Sequence, residues 1–185
     1  MLLTEEKLNK NLEIFKEKLE EIAPNNKLID NIGDKLKNAT FSPNGADALV
    51  GDGTLLNTIL RKLTPMAIKL NELLPEDKRI ERDSLVKVCL LHQIAKAVKL
   101  IPNDNEWEIE KRGLYYKYNN ELPSIRTGLH SLAIAQEADI KFTVEEVEAM
   151  TINDKDINDD MTRFHSSPFA NIIRMANEMT YISES

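Results

Sequence analysis

The sequence predicts an all-α fold: a helical bundle that carries one small β-hairpin and is preceded by an N-terminal amphipathic helix. Three observations lead there. Large apolar residues recur at spacings of three and four through most of the chain, which stacks them on one face of a helix. Helix start and stop residues bracket those runs. Only residues 106–118 shift to a period of two, the spacing of a strand. At 185 residues, 42% hydrophobic and 30% charged, the chain can bury a core and fits one domain, or one domain with a helical extension.

Thr4 is placed to cap the first helix, and the acids after it suit a helix N-terminus. Leu8, Leu12, Phe15, Leu19 and Ile22 then form one apolar stripe, opposite a face dense in Lys and Glu. Pro24-Asn25-Asn26 ends it, and a second short helix covers Leu28 to Leu36. Residues 1–37 are expected to be a helical extension and 38–185 the main domain. Asn38 to Gly53, with Pro43 and Gly45, reads as loop. A helix from about Thr54 to Leu74 follows, kinked at Pro65. Asp83 or Ser84 is expected to cap the next, from Leu85 to about Leu100. That helix is apolar on nearly all sides, as a central bundle helix would be.

Between Glu106 and Tyr118, Trp107 and Ile109 alternate with acids. After Lys111-Arg112-Gly113, Leu114, Tyr116 and Tyr118 alternate again, and the pattern predicts a hairpin. A helix over about Ser124 to Glu137 comes next. Thr143 and Glu146 have capping-box spacing for another, and Pro168 opens a last helix ending near Tyr181.

The net charge of −7 argues against sequence-independent binding to a nucleic-acid backbone, which requires clustered Lys and Arg. The single cysteine, Cys89, sits in an apolar run and reads as a small core residue; a lone cysteine fits a reducing compartment. The N-terminus turns acidic at once, without the basic and apolar regions of a signal peptide. No stretch has the length needed to span a bilayer. These features set the expectation of a soluble, cytoplasmic protein. The Lys-, Asn- and Ile-rich composition suggests an AT-rich genome, bacterial or phage. There is no P-loop, no Gly-rich dinucleotide turn and no nucleophile elbow.

Three segments carry a family resemblance: Asp52-Gly53-Thr54-Leu55-Leu56-Asn57-Thr58, Leu90-Leu91-His92-Gln93-Ile94-Ala95-Lys96 and Met175-Ala176-Asn177. They are similar to the G-G-L-L-E-H-T, L-L-H-D-I-G-K and A-D segments of the HD-domain metal-dependent phosphohydrolases. Thr127-Gly128-Leu129-His130-Ser131 resembles that family's H-G-x-x-S. Ala149-Met150-Thr151-Ile152-Asn153-Asp154 resembles its A-I-x-x-H. The resemblance covers about Asn38 to Ile182 and implies an HD-like bundle whose helices converge on a metal site. Here Asn57, Gln93, Thr127, Asn153 and Asn177 stand where the family has carboxylate or imidazole ligands, and His92 alone is retained.

Metal ions need imidazole or anionic ligands to be held and to acidify bound water, and neutral amides are weak in that role. The expectation is therefore a non-catalytic domain with no metal and no cofactor, a structural or protein-binding component of a larger assembly. A phage virion or assembly protein would be one such setting. Leu8, Leu12, Phe15 and Leu19 on the first helix, with Trp107, Tyr115 and Tyr116 on the hairpin, are the expected contacts for a partner or a second copy. Two alternatives stand beside it: a nucleotide phosphohydrolase with a rearranged metal site built from His92, His130 and nearby acids, or a metal-free nucleotide sensor. The simpler readings are a core residue for His92, a half-buried polar residue for His130 and a local turn contact for His165. The acidic stretch Asn153 to Asp160 lacks the glycine and final Glu of a calcium loop and reads as solvated loop.

Overall fold

A computed structural model describes residues 4–41, 53–154 and 166–182. Its elements in order are α1 (Glu5–Ile22), α2 (Leu28–Asn38), α3 (Leu55–Thr58), a π-helical stretch (Ile59–Leu63), α4 (Thr64–Glu72) and a 3₁₀ turn (Glu76–Lys78). There follow α5 (Arg82–Leu91), α6 (Lys96–Lys99), β1 (Leu100–Pro102), α7 (Glu106–Arg112) and β2 (Tyr116–Tyr118). The series ends with α8 (Thr127–Glu137), α9 (Val144–Thr151), a 3₁₀ turn (Ile152–Asp154) and α10 (Pro168–Ile182). The fold is all-α with one two-stranded antiparallel sheet.

Local signals read from sequence account for most of these bounds. Thr4 caps α1, its hydroxyl accepting from the Lys7 amide. Thr143 and Glu146 make both hydrogen bonds of a capping box at α9. Pro168 is the first residue of α10. Pro65 lacks the N–H that would reach the carbonyl four residues back. The helix absorbs this upstream, where Thr64 donates to Ile59, five residues back, in a π turn.

Three expectations are corrected. The helix after Ile80 starts at Arg82 and is capped by Glu81, whose carboxylate accepts from the Ser84 amide. It also stops at Leu91, and only a short α6 resumes at Lys96. Residues 106–112 are helix, not the first strand of a hairpin. Asn105 caps α7 through the Glu108 amide, and Gly113 closes it in the left-handed conformation at φ 63°. The strand partner of Tyr116–Tyr118 is Leu100–Pro102, paired Leu100 with Tyr118 and Pro102 with Tyr116.

The third correction concerns α1. Its stripe is covered by the chain itself: Phe15 and Leu19 are fully buried, Leu8 is buried, and Leu12 and Ile22 pack against the same core. That core runs without a break from Phe15 and Leu28 through Leu55, Leu90 and Ile94 to Ala149 and Ile173. Residues 1–37 thus supply part of the domain's centre, and the stripe of α1 is not a free docking face. Tyr116, expected at an interface, is buried against Leu100, and Tyr115 is half-buried beside it. Trp107 is 62% exposed, on α7. Cys89 is fully buried, and burial pushes its thiol well above its ordinary pKa. None of the described helices is long and apolar enough to cross a membrane.

Candidate functional site

The site is organised by the break after α5. From Ile94 onward the backbone tightens: Ile94, Lys96, Ala97 and Val98 donate to carbonyls three residues back. The amide of Ala95 instead donates to Ser131 Oγ at 3.0 Å, a fully buried hydroxyl on α8. On its other side α8 packs against the end of α9 and the 3₁₀ turn after it, where residue 128 is glycine. A Cβ there would lie 2.4 Å from the Met150 carbonyl oxygen and 2.8 Å from Asp154 Oδ2. The Asp154 carboxylate caps the same helix, accepting from the Gly128 and Leu129 amides at 2.9 and 2.7 Å. Ser131 therefore ties α8 to the 92–95 turn, while Gly128 lets the same helix pack against α9. We expect Gly128→Ala to destabilise the fold by about 1–3 kcal/mol in urea titration, more than a new alanine gives the helix, because backbone must move to admit the methyl.

The turn presents His92 and Gln93 to Asn177 on α10, and all three side chains are buried. Gln93 Nε2 donates to Asn177 Oδ1 at 3.3 Å. His92 Nδ1 lies 3.0 Å from the Val88 carbonyl oxygen. Burial is the main cause that lowers the His92 pKa to about 4; the Val88 carbonyl and the Asn177 amide oppose the fall, and the Lys96 charge adds to it. The ring is neutral at physiological pH.

The remaining matched positions lie on other elements. Asn57 is buried at the end of α3, where its Oδ1 accepts from Arg61 Nε at 3.0 Å. Thr127 is half-buried at the start of α8, and Asn153 is exposed in the 3₁₀ turn. His130 is half-buried on α8, with its pKa lowered first by desolvation and then by Lys99. His165 and residues 155–160 of the acidic stretch lie outside the described residues.

One residue was not singled out from sequence. Lys96 is 9% exposed. Its Nζ donates to the Phe41 carbonyl at 2.6 Å and to the Tyr181 hydroxyl at 2.7 Å. The Phe41 ring stands 3.8 Å away and the Tyr181 ring 5.2 Å. Desolvation lowers its pKa to about 7. Its place in the H-Q-I-A-K segment, four residues after His92 on a mostly apolar run, was the available signal.

The donor set does not fit the metal that the family resemblance implies. The linked side chains are, among the described residues, one neutral imidazole and two amides, with a lysine beside them and no carboxylate. Among the described residues, no three His, Cys, Asp or Glu side chains come together. Such a cluster can donate and accept hydrogen bonds, but it offers no negative charge to hold a divalent ion. Comparison with known proteins gives no match, whether to family models, curated proteins or solved structures.

Proposed function

We propose that this chain is a non-catalytic, HD-like helical domain that serves as a structural or protein-binding component of a larger assembly. One observation carries the reading. The His92–Gln93–Asn177 cluster keeps the buried, hydrogen-bonded form of a site while carrying only neutral groups. A polar cluster hydrogen-bonded between neighbouring helices specifies how they pack without supplying hydrolytic chemistry. Exposed apolar side chains remain for a partner: Trp107, Tyr118, Met175, Met179 and Ile182. The last three recur at helical spacing on α10, as a docking face requires. A phage virion or assembly intermediate is a setting in which such a module would serve.

The test combines elemental analysis with an activity assay. The purified protein should hold no stoichiometric transition metal and should leave nucleoside triphosphates and monophosphates intact when Mn²⁺ or Mg²⁺ is added. About one metal per chain, lost in His92→Ala together with phosphate release, would show a rearranged metal site and sink the proposal.

A further inference from the structure

Between the C-terminal end of α2 and the two-stranded sheet lies a cavity of about 300 Å³. Its lining includes Lys35 and Asn38 of α2, Val98 of α6, and Leu100, Pro102 and Tyr116 of the sheet. His92, Gln93 and Asn177 take no part in it. That volume lies at the small end of the range for ligand pockets.

The strand register explains the sheet side of the cavity. Cross-strand partners share a face and side chains alternate along each strand. Leu100, Pro102, Tyr116 and Tyr118 therefore stand on one face, and Ile101 and Lys117 on the other. On the first face Leu100 and Tyr116 are buried against each other, so the Tyr116 side chain belongs to the same wall as Leu100 and Pro102. Among the described residues, the Tyr116 hydroxyl forms no hydrogen bond. Burial raises its pKa, so the phenol stays protonated and can donate.

The charges favour an anionic head group. Among the described residues, Lys35 is the one charged side chain of the lining, and it takes part in no ion pair. It sits in the last turn of α2. The C-terminal end of a helix carries roughly half a negative charge, which one full ammonium charge outweighs. The amide N–H groups of Asn38 and Asn119 are turned to the Asp34 and Val98 carbonyls. The donors that remain are the Lys35 ammonium and the Tyr116 hydroxyl, beside an apolar wall. We propose that this cavity binds a small monocarboxylate with an apolar tail, its carboxylate held by Lys35 and Tyr116 and its tail against Val98, Leu100 and Pro102. Lys35 repels a cationic head, and a nucleotide carries more negative charge than one ammonium offsets. The site shares no residue with the His92 cluster, so its failure leaves the non-catalytic reading in place.

The experiment titrates the ¹⁵N-labelled full chain at neutral pH with hexanoate, hexylamine and hexan-1-ol. Hexanoate should shift the backbone amides of Val98, Leu100 and Tyr116 and saturate at millimolar concentration. Hexylamine should leave them unmoved, and hexan-1-ol should bind about tenfold more weakly. Tyr116→Phe breaks no bond within the protein and should weaken hexanoate binding about tenfold, the worth of a hydrogen bond to a charged group. Lys35→Gln should weaken it about two- to fivefold, as for an exposed ion pair, and remove its salt dependence. Hexan-1-ol binding as tightly as hexanoate would reveal a groove without carboxylate recognition and overturn the proposal. So would hexanoate binding that survives Tyr116→Phe undiminished, or hexanoate that leaves these amides unmoved.

Discussion

Phe15→Ala is expected to cost about 3–5 kcal/mol of folding stability, the range for emptying a fully buried aromatic site. That is a large share of the roughly 5–15 kcal/mol available to a domain of ordinary stability. The reason is position: Phe15 and Leu19 are fully buried in the core that continues through Leu28, Leu55 and Leu90. Deleting residues 1–24 should accordingly leave the remainder unfolded or molten instead of releasing a folded domain. Urea denaturation of the point variant and near-ultraviolet circular dichroism of the truncation measure the two effects. A truncated chain that kept cooperative unfolding with an unchanged midpoint would show that α1 is an appendage.

Stability should also rise with pH across the neutral-to-alkaline range, opposite to what a chain held mainly by surface ion pairs would do. Lys96 has an ordinary pKa of 10.5 when unfolded and about 7 when folded. Between those values the unfolded chain binds a proton that the folded chain does not, so raising the pH favours the folded state. From pH about 7 to about 9.5 the gain approaches roughly 3 kcal/mol. Above that, Tyr181, whose burial raises its pKa to about 12, works the other way, because an unfolded tyrosine ionises first. His92 adds a second window on the acid side: from its ordinary 6.5 down to about 4, acidification charges the unfolded imidazole first and lowers stability. Lys96→Met should flatten the alkaline rise while leaving the acid window in place. At neutral pH its net effect is small, because removing a costly buried charge offsets the loss of the bonds to Phe41 and Tyr181. An unchanged alkaline slope in Lys96→Met would remove Lys96 as its source.

The sequence by itself determined the elements whose signals are local. Thr4, the Thr143–Glu146 box and Pro168 mark helix starts because the first backbone amides of a helix need a side-chain acceptor, or no donor at all at a proline, and these residues supply that within four positions. Pro65 foretold a defect for the same kind of reason. The hydrogen bond from Gln93 to Asn177, 84 residues away, is by contrast a product of the fold. Residues 106–112 were misread because two apolar residues flanked by acids satisfy either period. None of them is buried, so no core enforced the alternation, and the Asn105 and Gly113 caps decided the outcome. The tertiary structure alone settled the rest. A stripe such as Leu8-Leu12-Phe15-Leu19 must be covered, but spacing cannot say whether its own chain or another covers it. Likewise, nothing near Lys96 in sequence shows that Phe41 and Tyr181 enclose it from segments 55 and 85 residues away. Desolvation depends on what the fold packs around a group, and that is how an ordinary surface residue type became a buried amine with a pKa of about 7.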